Sequence, residues 1–119
     1  MPSAPPGGFA ALVCELLAPL GDVRARRMFG GYGIYRDGVM FALITGEDLL
    51  YLRTDDENRP AYEQAGLPAF RPFPDKPMRM PYHRPPDSVL DDGEEMLAWA
   101  GPALTAALRA QAAKPKKRR

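Results

Sequence analysis

One cysteine (Cys14), one histidine (His83) and one tryptophan (Trp99) are all that the 119-residue sequence holds of these types. A lone cysteine forms no internal disulfide, which fits a reducing compartment. One cysteine and one histidine cannot supply the three or four nitrogen and sulfur ligands of the common zinc sites. Long apolar runs are also missing. The best stretch, Phe9 to Leu20, is broken by Glu15 and Pro19 and is too short to cross a bilayer. No basic segment precedes it, so it does not read as a secretion signal. These absences predict a cytoplasmic protein without membrane contact and without a cofactor.

Excess charge of either sign is likewise missing, with a formal net charge of only +1. That balance hides an asymmetry. Setting aside Lys114, Lys116, Lys117, Arg118 and Arg119 leaves 11 basic residues against 15 acidic ones, a body near −4. The basic character lies in the tail, and such a body does not advertise a broad nucleic-acid surface. The length suits one domain with a core of its own.

In chain order, residues 1–8 are rich in proline and glycine and are expected to fray, as are residues 112–119. The domain between them spans residues 9–111. Phe9, Leu12, Val13, Leu16, Leu17 and Leu20 recur at helical spacing, and Pro19 and Gly21 end that helix. Val23 to Phe29 predicts a strand. Gly33 to Arg36 and Val39 to Ile44 predict a hairpin around Asp37-Gly38, the residue pair that a type I′ turn favours. Val39 to Ile44 is apolar at both parities, which suggests a central strand covered on both faces. Leu49 to Arg53 follows as another strand.

A second helix is expected from about Asp55, with Pro60 in its first turn and Gly66 just past its end. Ala69 to Phe73 and Met78 to His83 predict two further strands, with Pro72 and Pro81 confining them to an edge or a bulge. Asp92-Gly93-Glu94-Glu95 resembles a capping box. Leu97, Leu104 and Leu108 then mark one face of a last helix, which Gly101-Pro102 should kink or split. The sum is an α+β domain of two layers, with three helices on an antiparallel sheet of about five to six strands.

The densest stretch is Arg26-Arg27-Met28-Phe29-Gly30-Gly31-Tyr32-Gly33-Ile34-Tyr35-Arg36-Asp37-Gly38. Together with Met40 to Ile44, Leu50-Tyr51-Leu52, Glu57-Asn58-Arg59, Pro77 to Met80 and Tyr82, it resembles the signature of the TfoX N-terminal domain family. That family includes regulators of natural competence. The resemblance runs over about residues 9–110. It implies a two-layer fold related to secretion chaperones. It also implies a non-enzymatic regulatory module that contacts the transcription machinery or a regulator. The two-domain competence regulators carry a second, C-terminal domain, and the resemblance here lies with their first.

The residues themselves leave other readings open. The glycines lead into a strand rather than a helix and no Walker lysine follows, which argues against a phosphate loop. The strand with Arg27, Gly30, Gly31, Tyr32, Gly33 and Tyr35 is nevertheless a candidate groove for a small ligand. Its structural alternative is a strand that a neighbour approaches closely. The tail residues Lys114, Lys116, Lys117, Arg118 and Arg119, with an arginine patch of Arg24, Arg26, Arg27 and Arg79, are a candidate nucleic-acid contact without sequence readout. Tyr32, Tyr35, Phe41 and Tyr51 would stack on bases if one sheet face were open, and otherwise pack across strands. Met28, Met40, Met78 and Met80 read as core fillers. Cys14 reads as an inert packed thiol, and no serine or cysteine is placed by motif as a partner for His83. The carboxylates at Asp55-Asp56-Glu57 and Asp91-Asp92 read as helix caps. A homodimer is expected to use helices or the edge opposite the prolines.

Overall fold

The computed structural model describes residues 8–28, 30–71 and 80–113. Pro72, Met78, Arg79, the basic tail and residues 1–7 lie outside them. In chain order the elements are α1 (Gly8–Leu17), a 3₁₀ turn (Ala18–Leu20), β1 (Val23–Met28), β2 (Gly31–Arg36), β3 (Val39–Ile44), β4 (Leu50–Arg53) and α2 (Arg59–Gln64). Then come β5 (Tyr82–His83), a second 3₁₀ turn (Asp87–Leu90) and α3 (Gly93–Ala113). The five strands form one sheet in the order β1-β2-β3-β4-β5, each antiparallel to the next. The α+β class and the two-layer arrangement follow from the hydrophobic pattern as expected.

The hairpin turn is the most local of the elements. Asp37 and Gly38 both adopt positive φ, 51° and 82°, and join β2 directly to β3. The twist of such a turn matches that of the strands it connects. β3 is the central strand. Its double apolar parity has a cause that alternation alone does not show. The register shifts between Ile34 and Tyr35, where Ile34 pairs with Ala42 and Tyr35 with Met40. Phe41 is the extra residue of a β-bulge, and it joins Ala42 in the core beneath the helices. Leu43 stays on the opposite face, beside Gly33 and Tyr51.

The core lies between the sheet and α1 and α3. Val13 and Leu17 of α1 are fully buried, whereas Leu12, expected on the same stripe, is exposed. On α3 the buried face is Met96, Ala100, Ala103, Leu104 and Ala107. The expected Leu97–Leu104–Leu108 face is therefore rotated, and Leu108 is exposed. The reason is size: the alanines let the helix axis come near β3 and β4, a position that larger residues would prevent. Trp99 turns aside to pack its ring against Tyr62 of α2, 4.8 Å between centroids.

Three boundaries differ from the sequence expectation. α2 begins at Arg59, because Asp55 and Asn58 hold the preceding turn. Asp55 accepts the Glu57 and Asn58 N–H groups, and Asn58 accepts the Asp55 N–H at 2.7 Å. α3 runs unbroken through Pro102. The proline withholds one hydrogen bond from a long helix and its ring is exposed, so the helix continues. Of the two late strands, only Tyr82–His83 pairs with β4. Ala69 makes an isolated bridge to His83, supported by Phe70 N–H to the Tyr82 carbonyl at 2.7 Å. Pro81 can donate nothing to extend the ladder. At the start of α3, Asp92 accepts the Glu94 and Glu95 N–H groups at 3.0 and 3.2 Å. Glu95 accepts a hydrogen bond from Ser88 rather than closing the capping box.

Candidate functional site

Strand register divides the glycine-rich stretch between two surfaces. Val23, Ala25, Tyr32, Ile34 and Val39 belong to the helix-covered core or pack against it. Arg27 pairs with Tyr32 and lies over its ring, 5.7 Å from the guanidinium carbon to the centroid. Gly31, Gly33 and Tyr35 alternate onto the other face, and Gly30 sits in the turn before β2 with φ 79°. The structure thus separates Arg27 and Tyr32 from Gly31, Gly33 and Tyr35.

The two strand glycines are explained by what surrounds them. A Cβ at Gly31 would stand 2.0 Å from the Ile44 carbonyl oxygen, so the backbone of β3 comes too near for any side chain. A Cβ at Gly33 would meet the sulfurs of Met28 and Met40, each at 2.8 Å, and Cε1 of Tyr35 at 2.9 Å. Those three side chains fill the space above Gly33. Met28 and Met40 do serve as fillers, but on the face away from the helices.

That second face carries Arg24, Arg26 and Met28 from β1, Tyr35 from β2, Met40 and Leu43 from β3, Tyr51 and Arg53 from β4, and Tyr82 from β5. Arg26 lies over the Tyr35 ring at 5.3 Å and Arg53 over the Tyr82 ring at 5.7 Å. Tyr51 packs against Phe70 with centroids 4.8 Å apart. Burial raises the Tyr82 hydroxyl above its usual range, partly offset by the nearby Arg53. Of the four aromatics named from the sequence, Tyr35 and Tyr51 face this side, while Phe41 and Tyr32 face the helices.

The titratable groups under the helices are held in place by neighbours. His83 is buried, its Nδ1 lies 3.1 Å from the Thr54 hydroxyl, and its ring is 5.2 Å from that of Tyr62. Cys14 is half-buried, and burial pushes its thiol up, away from the reactive thiolate. The Tyr62 hydroxyl is buried without a hydrogen-bond partner among the described residues, and burial holds its proton far more tightly than usual. Burial alone would raise the Asp55 carboxyl. The Arg109 guanidinium, at 2.7 and 2.8 Å, and the Glu57 and Asn58 N–H groups outweigh it and leave Asp55 below its ordinary value. This pair ties the turn before α2 to the last turns of α3.

Between α2 and α3 lies a depression of ≈ 340 Å³ lined by Ala61, Tyr62, Ala98, Trp99 and Pro102, with Glu57 and Asn58 beside them. Sequence reasoning missed it. Trp99 off the apolar stripe of α3 was the signal that some second element must cover it. Among the described residues no cluster of three or more His, Cys, Asp or Glu could hold a metal ion. No helix among them is long and apolar enough to cross a membrane. No curated protein matches the chain. The family model of the TfoX N-terminal domain matches residues 15–107.

Proposed function

Because the chain belongs to the TfoX N-terminal domain family, we propose that it is a regulatory module acting by contact rather than catalysis, in the transcriptional control of competence or DNA uptake. The observation that carries this reading is the extent of the match. It begins near the end of α1 and ends within α3, so it takes in all five strands, α2 and most of α3. The inert surroundings of Cys14 and the structural contacts of His83 support a module without a reaction of its own. Its partner is a protein of the transcription machinery or a regulator of it.

Deleting the gene in its natural host and measuring transcripts of the DNA-uptake genes tests the reading. The expected result is a fall in those transcripts and in transformation frequency, restored equally by the wild-type chain and by Cys14→Ser. Unchanged transcripts would overturn the regulatory role. Loss of rescue by a folded Cys14→Ser chain would overturn the non-catalytic one.

A further inference from the structure

The five strands carry five arginines (Arg24, Arg26, Arg27, Arg36 and Arg53) and not one aspartate or glutamate. The described acidic residues sit instead on the helices and in the turns: Glu15 on α1, Glu63 on α2, Glu94 and Glu95 on α3, Asp87 in the second 3₁₀ turn, Asp55, Asp56, Glu57, Asp91 and Asp92 in the turns that lead into helices, and Asp22, Asp37, Glu47 and Asp48 in the turns at the strand ends. The body's net negative charge is therefore unevenly spread. The face of the sheet turned away from the helices presents Arg24, Arg26 and Arg53 beside the half-buried rings of Tyr35, Tyr51 and Phe70. Arg24 is paired with Asp22 at 3.1 Å. Arg26 and Arg53 have no carboxylate partner among the described residues, and each lies against a tyrosine ring.

We propose that this sheet face, turned away from α1 and α3, binds single-stranded nucleic acid, with Tyr35 and Tyr51 as stacking surfaces and Arg26 and Arg53 as the phosphate contacts. The occupant follows from complementarity. Two arginines without a carboxylate partner among the described residues, on strands that carry no acid and with Asp22 beside Arg24 at the edge, attract a polyanion. Aromatic rings standing between them suit a ligand whose charges alternate with flat, unpaired bases, and every base offers such a face. A duplex keeps its bases stacked on each other and would use the arginines alone. An acidic protein segment would likewise leave the rings unused. This inference stands on the charge distribution and is independent of the regulatory reading.

The test is fluorescence anisotropy of the full chain with labelled oligothymidylate and oligoadenylate of about 15 nucleotides, a length that covers one such domain. The same sequence as a duplex serves for comparison. Expected are tighter binding to single strands than to the duplex, weakening with added salt, and a loss of about tenfold in affinity with Arg26→Glu. Glu94→Lys, on the helix side, should change affinity far less than Arg26→Glu. A chain with Lys114, Lys116, Lys117, Arg118 and Arg119 all changed to serine should keep its preference for single strands. The proposal is overturned if that chain loses all binding, if duplex and single strand bind alike, if Arg26→Glu binds as wild type does, or if only acidic peptides bind. Circular dichroism of each variant confirms that it is folded.

Discussion

Replacing Gly31 by alanine adds a single methyl group, and the structure says what that methyl meets. Its carbon would stand 2.0 Å from the Ile44 carbonyl oxygen and 3.0 Å from the Ile44 carbonyl carbon. Non-bonded heavy atoms rest at about 3.5 Å or more, so β2 and β3 must separate locally by about 1 Å or more. Overpacking of this kind costs about 1–3 kcal/mol. The neighbouring Tyr32–Ile44 pairing is stretched at the same time, and a weakened ladder bond costs about 1 kcal/mol. The sum is a loss of about 3 kcal/mol. For a domain of this size that lowers the melting temperature by about 12 °C. Thermal and urea unfolding followed by circular dichroism measure it. Gly93→Ala is the internal comparison. Its Cβ would meet only Leu16 Cδ2, at 3.8 Å, and it lies at the first position of α3, so it should gain about 0.5 kcal/mol by narrowing the unfolded ensemble. A Gly31→Ala chain that melts with the wild type would refute the close approach of the two strands. A Gly93→Ala chain that loses as much as Gly31→Ala would refute the site-specific explanation.

Tyr62→Phe removes a buried hydroxyl that has no partner among the described residues, so the variant should be as stable as the wild type or more stable by up to about 1 kcal/mol, read from urea midpoints. Asp55→Asn keeps the turn's acceptor oxygen but removes the charge facing Arg109. It should cost about 1 kcal/mol near neutral pH. Because the Asp55 carboxyl is held below its ordinary value, this contribution is complete above the usual carboxylate range and is lost as pH falls through the lowered value. The wild-type advantage over Asp55→Asn should therefore shrink below about pH 4 and then vanish, whereas an unchanged gap at lower pH would count against the ion pair. Ala103→Leu, at a fully buried position of α3, should destabilise by about 1–3 kcal/mol because the alanine face leaves no room; a neutral effect in thermal melts would show that α3 is not closely seated.

Elements governed by near neighbours were legible in the sequence. Asp37-Gly38 announced its turn, Asp92 its cap, and the spacing of Val13 and Leu17 their helix face. What was not legible depended on contacts between distant residues. The rotation of α3 onto Met96, Ala100, Ala103 and Ala107 depends on the sheet it must approach, because alanines give a periodicity count little weight. The bulge at Phe41 depends on pairing with β2, and strict alternation along β3 cannot reveal it. The glycine-rich stretch looked like one groove because its residues are contiguous. Alternation places Tyr32 under the helices and Tyr35 on the other face, and Met28 and Met40 arrive from neighbouring strands to fill the gap at Gly33. The arginine-bearing face turned away from the helices was partly present in the arginines of β1, but Arg53 joins them only through the register of β4 and β5.

The sequential strand order has a consequence for how the chain acquires its shape. β1 to β4 pair neighbour with neighbour across short turns, so their contacts form between residues close in sequence and incur little loop-closure entropy. The fifth strand and the last helix come after the long link through residues 54–81 and must travel back to a sheet already assembled. During synthesis α1 and the meander leave the ribosome before α3, so Phe41, Ile44 and Leu52 lack their α3 cover until that helix emerges. A chain interrupted before the alanine-lined helix at residue 93 would present the part of the apolar sheet that α3 covers to its surroundings.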